Sequence, residues 1–276
     1  MLQGEIKKVV RDNYGRIAET SGSCCGSRSS CCGGGAVAED ISRKIGYSTE
    51  EMEAVPEGAN LGLGCGNPVA LATLKEGETV IDLGSGAGFD SFLAAQRVGK
   101  TGQVIGVDMT PQMLDRAREN AAKGNYDQVE FRLGEIENLP VADNTADIII
   151  SNCVINLSPD KERVFQEAYR VLKPGGRIMV SDMVLLAELP DALRNSIQAY
   201  IGCIAGAVMK ADYLDAVAKA GFQDVKIIDE SIFFVNEFVG HPAVKEAASD
   251  PGMMKDKVET FSAAVASIKV YAVKPL

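Results

Sequence analysis

A single glycine-rich stretch decides the fold of this chain. Residues 79–90 have the sequence TVIDLGSGAGFD, in which an apolar run ends at three glycines in alternate positions. A strand that turns through glycines into a helix is typical of the first unit of a ligand-binding α/β domain, because glycine lets a ligand approach the backbone closely. The spacing is G-x-G-x-G, whereas the dinucleotide-binding pattern G-x-G-x-x-G would need glycine where Phe89 stands.

Strands and helices alternate after this stretch. Mostly continuous apolar strands are expected where helices cover both faces of a parallel sheet. The pattern therefore predicts an α/β, Rossmann-like fold with a mostly parallel sheet and helices on both faces. The predicted strands are 79–83, 103–107, 129–133, 146–151 and 177–181, and the predicted helices are 91–98, 111–124 and 161–172.

The N-terminal part of the chain has a different pattern. Residues 1–20 have the apolar periodicity of a helix. Residues 21–35, SGSCCGSRSSCCGGG, contain no large apolar side chain and are predicted to form a flexible loop. Ser48 and Glu51 have the spacing of a capping box, which predicts the start of a short helix.

The C-terminal part completes the domain plan. Residues 183–220 are predicted to be mainly helical, and strands are predicted at 221–228 and 267–273, with 231–235 continuing the first or pairing with it. The chain therefore divides into an N-terminal Cys-rich segment, a binding core and a C-terminal part. Their bounds are 1–74, 75–182 and 183–276.

Composition excludes several classes of function. The chain has 276 residues, of which 46% are hydrophobic and 24% charged, so it can form a packed core. Its net charge of −10 argues against broad nucleic-acid or membrane-surface binding. We find no run of 18 apolar residues and no signal peptide, and we expect a soluble, cytoplasmic protein. His241 is the only histidine, which makes histidine-based catalysis improbable.

Acidic residues stand at the ends of the first two strands. Asp82 lies two residues before the first of the glycines, where a carboxylate suits a cationic ligand better than a pyrophosphate. Asp108 ends the second strand, 26 residues later, and an acid there suits ribose hydroxyls. The alternative is a tight turn with solvated acids. Glu135 and Ile136 follow the third strand and could meet an adenine or belong to an ordinary loop.

These motifs resemble those of class I S-adenosylmethionine-dependent methyltransferases. Residues 82–88 are similar to the family's first motif, residues 107–110 to its second, and residues 170–177 to the loop before its fifth strand. The resemblance covers residues 75–182 and implies S-adenosylmethionine as cofactor and a seven-stranded sheet that ends in an antiparallel hairpin. The cofactor-binding residues that it implies are Asp82, Gly84, Ser85, Gly86, Gly88, Asp108, Met109, Glu135, Ile136 and Asn152.

Three cysteines are placed where they could meet such a cofactor. Cys153 directly follows the fourth strand, at the edge of the sheet where ligands bind. Cys65 lies in a glycine-flanked loop that can expose a thiol and fold over the site, and Cys203 lies among small residues after the fifth strand. Each could instead be buried and inert. Together, in a methyltransferase, they favour a soft acceptor such as As(III), which binds three thiolates and keeps a lone pair that can attack the sulfonium methyl.

The sequences around these cysteines resemble arsenite S-adenosylmethionine methyltransferases. Residues 63–68, 151–159 and 202–207 carry the resemblance. It implies that Cys65, Cys153 and Cys203 are catalytic, bind As(III) and carry the redox steps. It also implies arsenite or thiol-conjugated As(III) as substrate, and thioredoxin or glutathione as the thiol reductant.

Alternatives remain at the other cysteines and for the function as a whole. Cys24, Cys25, Cys31 and Cys32 form two adjacent pairs, which could recruit arsenic, relay electrons, bind other metals or be dispensable; a zinc site usually has C-x-x-C spacing. The chain could instead methylate a small organic acceptor such as a quinone- or sterol-like ring, although it has no Trp and only 6% aromatic residues. Sequestration of soft metals by thiols would leave the glycine-rich motif unexplained.

Overall fold

Seven strands form a single sheet in the computed structural model, which describes residues 3–20, 34–188, 206–232 and 265–276. They are β1 (Thr79–Leu83), β2 (Gln103–Asp108), β3 (Val129–Leu133), β4 (Ala146–Asn152), β5 (Leu172–Leu185), β6 (Gln223–Ile232) and β7 (Val265–Val273). Their order across the sheet is β3-β2-β1-β4-β5-β7-β6. Strands β1 to β5 pair in parallel, and β7 is antiparallel to both of its neighbours. The predicted α/β fold with a terminal antiparallel hairpin is confirmed.

Eight helices and one short 3-10 helix lie within the described residues. The capping box is present, because Ser48 and Glu51 each accept a hydrogen bond from the other's backbone N–H. Among these helices, none has both the length and the apolar character that crossing a bilayer requires. The helices are α1 (Gln3–Thr20), α2 (Gly34–Lys44), α3 (Thr49–Glu53), α4 (Pro68–Leu71), α5 (Phe89–Val98), α6 (Pro111–Gly124), α7 (Lys161–Val171) and α8 (Lys210–Lys219), and the 3-10 helix is Ile155–Leu157.

The apolar core lies on both faces of the sheet. Along β4, Ile149 belongs to the cluster that includes α7 and α8, whereas Ile148 and Ile150 belong to the cluster that includes α5 and α6. Successive side chains of a strand point to opposite faces, so a strand between two helical layers buries both sets and is mostly apolar. This explains why the parallel strands have continuous rather than alternating apolar sequences.

The structure corrects the bounds of several predicted elements, and residues 206–209, predicted to be helical, precede the helix that begins at Lys210. Strand β5 begins at Leu172 and continues to Leu185, so residues 183–185, predicted to be helical, are extended. They are held by pairing with β7, which matches Arg177 to Val273 and Leu185 to Val265. Residues 34 and 35 belong to α2 rather than to the predicted loop. Residues 21–33, 189–205 and 233–264 lie outside the described residues, and with them most of the predicted Cys-rich loop and part of the predicted C-terminal helices.

Candidate active site

A cavity opens at the carboxyl ends of β1, β2 and β4. Parallel strands end at one edge of the sheet, so the loops that follow them meet there. The glycine-rich turn and Asp108 form one side, and residues that follow β3 and β4 form the other. The lining residues are Lys7, Val10, Tyr14, Leu63, Gly84, Gly86, Asp108, Met109, Thr110, Met113, Gly134, Ile136, Glu137, Asn152, Cys153, Val154, Leu157 and Ser158.

The glycine-rich turn requires glycine for two separate reasons. Gly84 has a φ of +66°, in the left-handed region, and a Cβ there would overlap the Val154 side chain. Gly88 has a φ of +94° at the N-cap of α5, and a Cβ would lie 2.6 Å from the Phe92 ring. Other residues would strain the backbone and collide with these neighbours. The turn therefore presents bare backbone to the cavity.

Asp108 is oriented by backbone groups at the end of β2. Its carboxylate accepts N–H hydrogen bonds from Gly86 at 3.0 Å and from Thr110 at 2.8 Å. Burial raises the pKa of Asp108, and the hydrogen bonds from Thr110 and Gly86 oppose that shift. The carboxylate is thus fixed against the glycine turn and faces the cavity.

Two more carboxylates lie behind the turn. Asp82 is 2% exposed and accepts a 2.6 Å hydrogen bond from the Ser91 hydroxyl. Burial raises the pKa of Asp82 well above its usual range, and repulsion from Asp90 and Asp108 adds to the shift. Burial also raises the pKa of Asp90 to about 6. This concentration of buried acids favours a positively charged ligand nearby.

Asn152 connects the end of β4 to the loop that carries Cys65. The two N–H groups of its amide are shared among three acceptors, the Gly66 carbonyl at 2.7 Å, the Tyr47 hydroxyl at 2.8 Å and Asp90 at 3.1 Å. Its amide oxygen accepts the N–H of Cys65 at 3.0 Å. The Tyr47 hydroxyl donates in turn to Asp90 at 2.5 Å. One side chain therefore holds the Cys65 loop against the glycine-rich motif.

The two described cysteines meet at this junction. Cys65 and Cys153 are both buried, neither is in a disulfide, and their sulfur atoms lie within 4.8 Å of each other. The Ser181 carbonyl accepts the Cys153 N–H at 2.8 Å and lies 3.6 Å from the Cys65 sulfur. Cys153 has a φ of +60°, an uncommon conformation for a non-glycine residue. Cys153 lines the cavity, whereas Cys65 is not among its lining residues.

A buried carboxylate, that of Asp182, lies close to the two thiols. The carboxylate lies within 4.8 Å of both sulfurs and is 1% exposed. It accepts hydrogen bonds from the Met183 N–H at 2.9 Å, the Asn156 N–H at 3.2 Å and the Tyr213 hydroxyl at 3.3 Å. Burial raises the pKa of Asp182 to about 7.

Helix α1 closes the cavity on the outer side. Lys7, Val10 and Tyr14 line it, and Val10 is 1% exposed. Lys7 bridges two acids that follow β3, with its Nζ 2.7 Å from Glu135 and 3.1 Å from Glu137. The chain's N-terminal helix is thereby tied to the rim of the cavity.

Comparison with known proteins identifies the family. A family model described as a methyltransferase domain matches residues 74–221. The arsenic(III) S-adenosylmethionine methyltransferase of Chlamydomonas reinhardtii has a similar solved structure, with a TM-score of 0.63 and 34% identity, covering 85% of this chain and 74% of that one. The chain belongs to the family of arsenic(III) S-adenosylmethionine methyltransferases.

Curated family members are also similar in sequence. The arsenite methyltransferase of Halobacterium salinarum is 49% identical over 243 residues, and the human arsenite methyltransferase is 32% identical over 245 residues. Each alignment covers 85% of this chain. The chain spans 62% of the length of the first relative and 63% of the second.

The residues predicted for the family's cofactor separate into two groups. One group lines the main cavity: Gly84, Gly86, Asp108, Met109, Ile136 and Asn152. The other group lies outside that cavity. Ser85 lines an adjoining groove, together with Tyr47 and Asp90. Asp82 and Gly88 lie behind the turn, and the Glu135 carboxylate pairs with Lys7 on the outer rim.

The predicted thiols are brought together in part. Cys65 and Cys153 lie side by side, and Cys65 is 8% exposed, so of the two alternatives for its thiol the structure shows the buried one. Contacts from Asn152 and from the Ser267 hydroxyl, which donates to the Cys65 carbonyl at 2.9 Å, keep the loop inward. Cys203, Cys24, Cys25, Cys31 and Cys32 lie outside the described residues.

Several residues of the site were missed by the sequence analysis. Asp182 directly follows the fifth predicted strand, and an acid at that edge of the sheet was a usable signal. Asp90 is the last residue of the glycine-rich stretch 79–90, but the sequence analysis assigned it no role. Tyr47 and Lys7 come from segments without any site motif, so only the folded chain shows that they reach the site.

Proposed function

We propose that this chain transfers the methyl group of S-adenosylmethionine to As(III) held by cysteine thiolates. In this proposal Cys65 and Cys153 supply two of the ligands and Cys203 supplies the third. The substrate is arsenite or a thiol conjugate of As(III). The observation that carries the proposal is a pair of buried cysteines whose sulfurs lie within 4.8 Å of each other, together with the position of Cys153 in the lining of the cavity beside the glycine-rich turn.

The cavity suits the proposed cofactor in shape and charge. The bare backbone at Gly84 and Gly86 would accept a close ligand, and the oriented Asp108 would bind the ribose hydroxyls. Met109 and Ile136 give an apolar wall suited to adenine. The buried carboxylates of Asp82 and Asp90 lower the free energy of ammonium and sulfonium charges, and those charges would in turn favour ionised carboxylates.

The protein's contribution to the reaction is mainly positioning. The bound cofactor supplies an electrophilic methyl group on a sulfonium. Three thiolates hold the substrate as a pyramid whose arsenic lone pair points away from the sulfurs, so the orientation of Cys65 and Cys153 sets the direction of attack. The lone pair would form the As–C bond, and the electrons of the broken C–S bond would stay on the donor's sulfur. No general base is needed to generate the nucleophile.

The decisive test uses Cys153→Ser. The reduced full chain is incubated with arsenite, S-adenosylmethionine and a thiol, and the arsenic species formed are separated and quantified. We expect methylated arsenic from the natural sequence and a loss of at least about 100-fold in Cys153→Ser, because a hydroxyl is a poor ligand for a soft ion. Retention of cofactor affinity in the variant, measured by calorimetry, would show that the loss concerns arsenic alone.

Two outcomes would contradict the proposal. Unchanged arsenic methylation in Cys153→Ser would remove the thiol from the reaction. Methyl transfer to a quinone-like acceptor with arsenite inert would favour the organic-acceptor alternative. The thiol reductant, the cytoplasmic location, the three-segment organisation and a role for the cysteines at 24, 25, 31 and 32 stay predictions from the sequence.

A further inference from the structure

We propose that Cys65, Cys153 and Asp182 form a binding site for Zn²⁺ that competes with the arsenic substrate. Among the described residues, these three form the group whose ligand atoms are close enough to hold one metal ion. The site contains two sulfurs and one carboxylate, whereas the proposed arsenic site contains three sulfurs. The competition rests on the proposed function, but Zn²⁺ binding itself does not.

Three separate elements supply the ligands and fix their positions. Cys65 comes from the loop before α4, Cys153 follows β4, and Asp182 lies in β5. Their exposures are 8%, 7% and 1%, so all three are more than nine-tenths buried. Because the elements are held by the sheet and by the Asn152 hydrogen bonds, the donor set exists before any ion arrives.

The carboxylate keeps capacity for an ion. Among the described residues, Oδ1 accepts one hydrogen bond, from Met183, while Oδ2 accepts two, from Asn156 and Tyr213. Each carboxylate oxygen has two acceptor positions, so the described residues use only one of the two on Oδ1. The hydrogen bonds on Oδ2 orient the group without occupying the second position on Oδ1.

The donor chemistry favours zinc over harder divalent ions. Zinc binds cysteine sulfur at about 2.3 Å and carboxylate oxygen at about 2.0–2.2 Å, and it accepts three protein ligands with water as the fourth. Ligand atoms around such a centre are about 3.5 Å apart, so separations of up to 4.8 Å close with small side-chain rotations. Mg²⁺ and Ca²⁺ prefer oxygen ligands and would gain little from two thiolates.

The charges of the cluster also favour a divalent cation. Two ionised thiols and an ionised Asp182 would put three negative charges in a buried space, with Lys161 as a cation that acts on Asp182. A divalent cation would neutralise most of that charge. As(III) forms covalent bonds to sulfur and has no comparable need for the carboxylate. The same two thiols therefore serve two ions that differ in the third ligand.

The test measures Zn²⁺ affinity in chains that differ only at the proposed ligand. The full chain is prepared with Cys24, Cys25, Cys31 and Cys32 replaced by serine, so that those thiols do not add a second site. The protein is kept reduced without thiols, and Zn²⁺ is titrated against a chromophoric chelator. We expect Asp182→Asn to weaken binding at least tenfold. Asp224→Asn is the matched control, because Asp224 is exposed and has a φ of +52° that asparagine tolerates, and it should not change affinity.

A measurement on the unsubstituted ligand set protects the test from a folding failure of Asp182→Asn. X-ray absorption of the zinc-loaded chain should show two sulfurs at about 2.3 Å and oxygen at about 2.0–2.2 Å. Three or more sulfurs per zinc, or equal affinity in Asp182→Asn and Asp224→Asn, would overturn the proposal.

Kinetics separates this inference from the proposed function. Zn²⁺ should raise the apparent KM for arsenite without changing that for S-adenosylmethionine. If the chain does not methylate arsenite but still binds zinc through two sulfurs and Asp182, the proposed function fails and the zinc site stands. If arsenite is methylated but no zinc binds to two sulfurs and Asp182, the zinc site fails and the proposed function stands.

Discussion

At the scale of single residues, the position of the Cys65 thiol depends on its two glycine neighbours. A Cβ at Gly66 would overlap the Ser181 hydroxyl, and a Cβ at Gly64 would lie 2.5 Å from the Asn152 amide nitrogen. Neither glycine has a positive φ, so the requirement is for space and not for backbone freedom. The sequence showed the flanking glycines but not this reason, because Asn152 and Ser181 are far away along the chain.

We expect Gly66→Ala to displace the Cys65 loop. Overpacking a tight contact costs about 1–3 kcal/mol, so the melting temperature should fall by several degrees and arsenite methylation by at least about tenfold. The double variant Gly66→Ala with Ser181→Gly removes the colliding atoms and should recover part of both losses. Thermal unfolding and arsenic speciation measure the two effects. A double variant no better than Gly66→Ala alone would show that the Ser181 contact is not the cause.

At the scale of elements, local sequence signals and distant pairing set different boundaries. The predicted bounds of β1, β3 and α6 agree with the structure, because each apolar run ends at a glycine, a proline or a charged residue. Strand β5 could not be bounded in the same way, since its last residues are held by β7, about 80 residues further on. The burial of Cys65 has a similar origin, in contacts with Asn152 and Ser267. Sequence patterns predicted where these local elements begin and end. Contacts between distant residues decided how far β5 extends and how deeply Cys65 is buried.

Helix α1 provides a prediction at this scale. Lys7→Glu replaces an ion pair with Glu135 and Glu137 by repulsion at the rim of the cavity. A partly exposed pair of this kind contributes about 1 kcal/mol, so the affinity for S-adenosylmethionine should fall about three- to tenfold. Lys8→Glu is the matched control, since Lys8 is the exposed neighbour on the same helix and carries the same charge. Calorimetric titration compares the two. Equal losses would indicate a general charge effect, and no loss in Lys7→Glu would mean that α1 does not cover the cofactor.

At the scale of the whole molecule, the fold gathers acids at one edge of the sheet. Asp82, Asp108 and Asp182 lie on three different strands, and Asp90 lies in the first turn of α5. Burial raises the pKa of all four. Burial of these carboxyls in their ionised form opposes folding, and their concentration at the binding edge agrees with the proposed role in holding a cationic cofactor. The sequence predicted that Asp82 and Asp108 meet there, but not how strongly burial acts on them.

The pH dependence of stability follows from these shifts. Burial raises the pKa of Asp182 from 3.8 to about 7 and that of Asp90 from 3.8 to about 6, so between those values the folded chain binds more protons than the unfolded chain. Stability therefore falls as pH rises through this window. Glu78 and Glu167 have lowered pKa values, so their stabilising contributions are lost only at more acidic pH. We expect the free energy of unfolding to be a few kcal/mol lower at pH 8 than at pH 5.

Urea unfolding at pH 5, 6, 7 and 8, without cofactor or metal, measures this slope. His241 is replaced by asparagine in every chain compared, so that no histidine titrates in the same window. Asp182→Asn should flatten the slope between pH 6 and 8, because the group that releases its proton there is gone. Saturating S-adenosylmethionine should also flatten it, since the cofactor's positive charges favour the ionised acids. A stability that is level or rises from pH 5 to pH 8 in the parent chain would mean that these carboxyls are already ionised at pH 5 and that the buried edge of the sheet is wetter than its packing indicates.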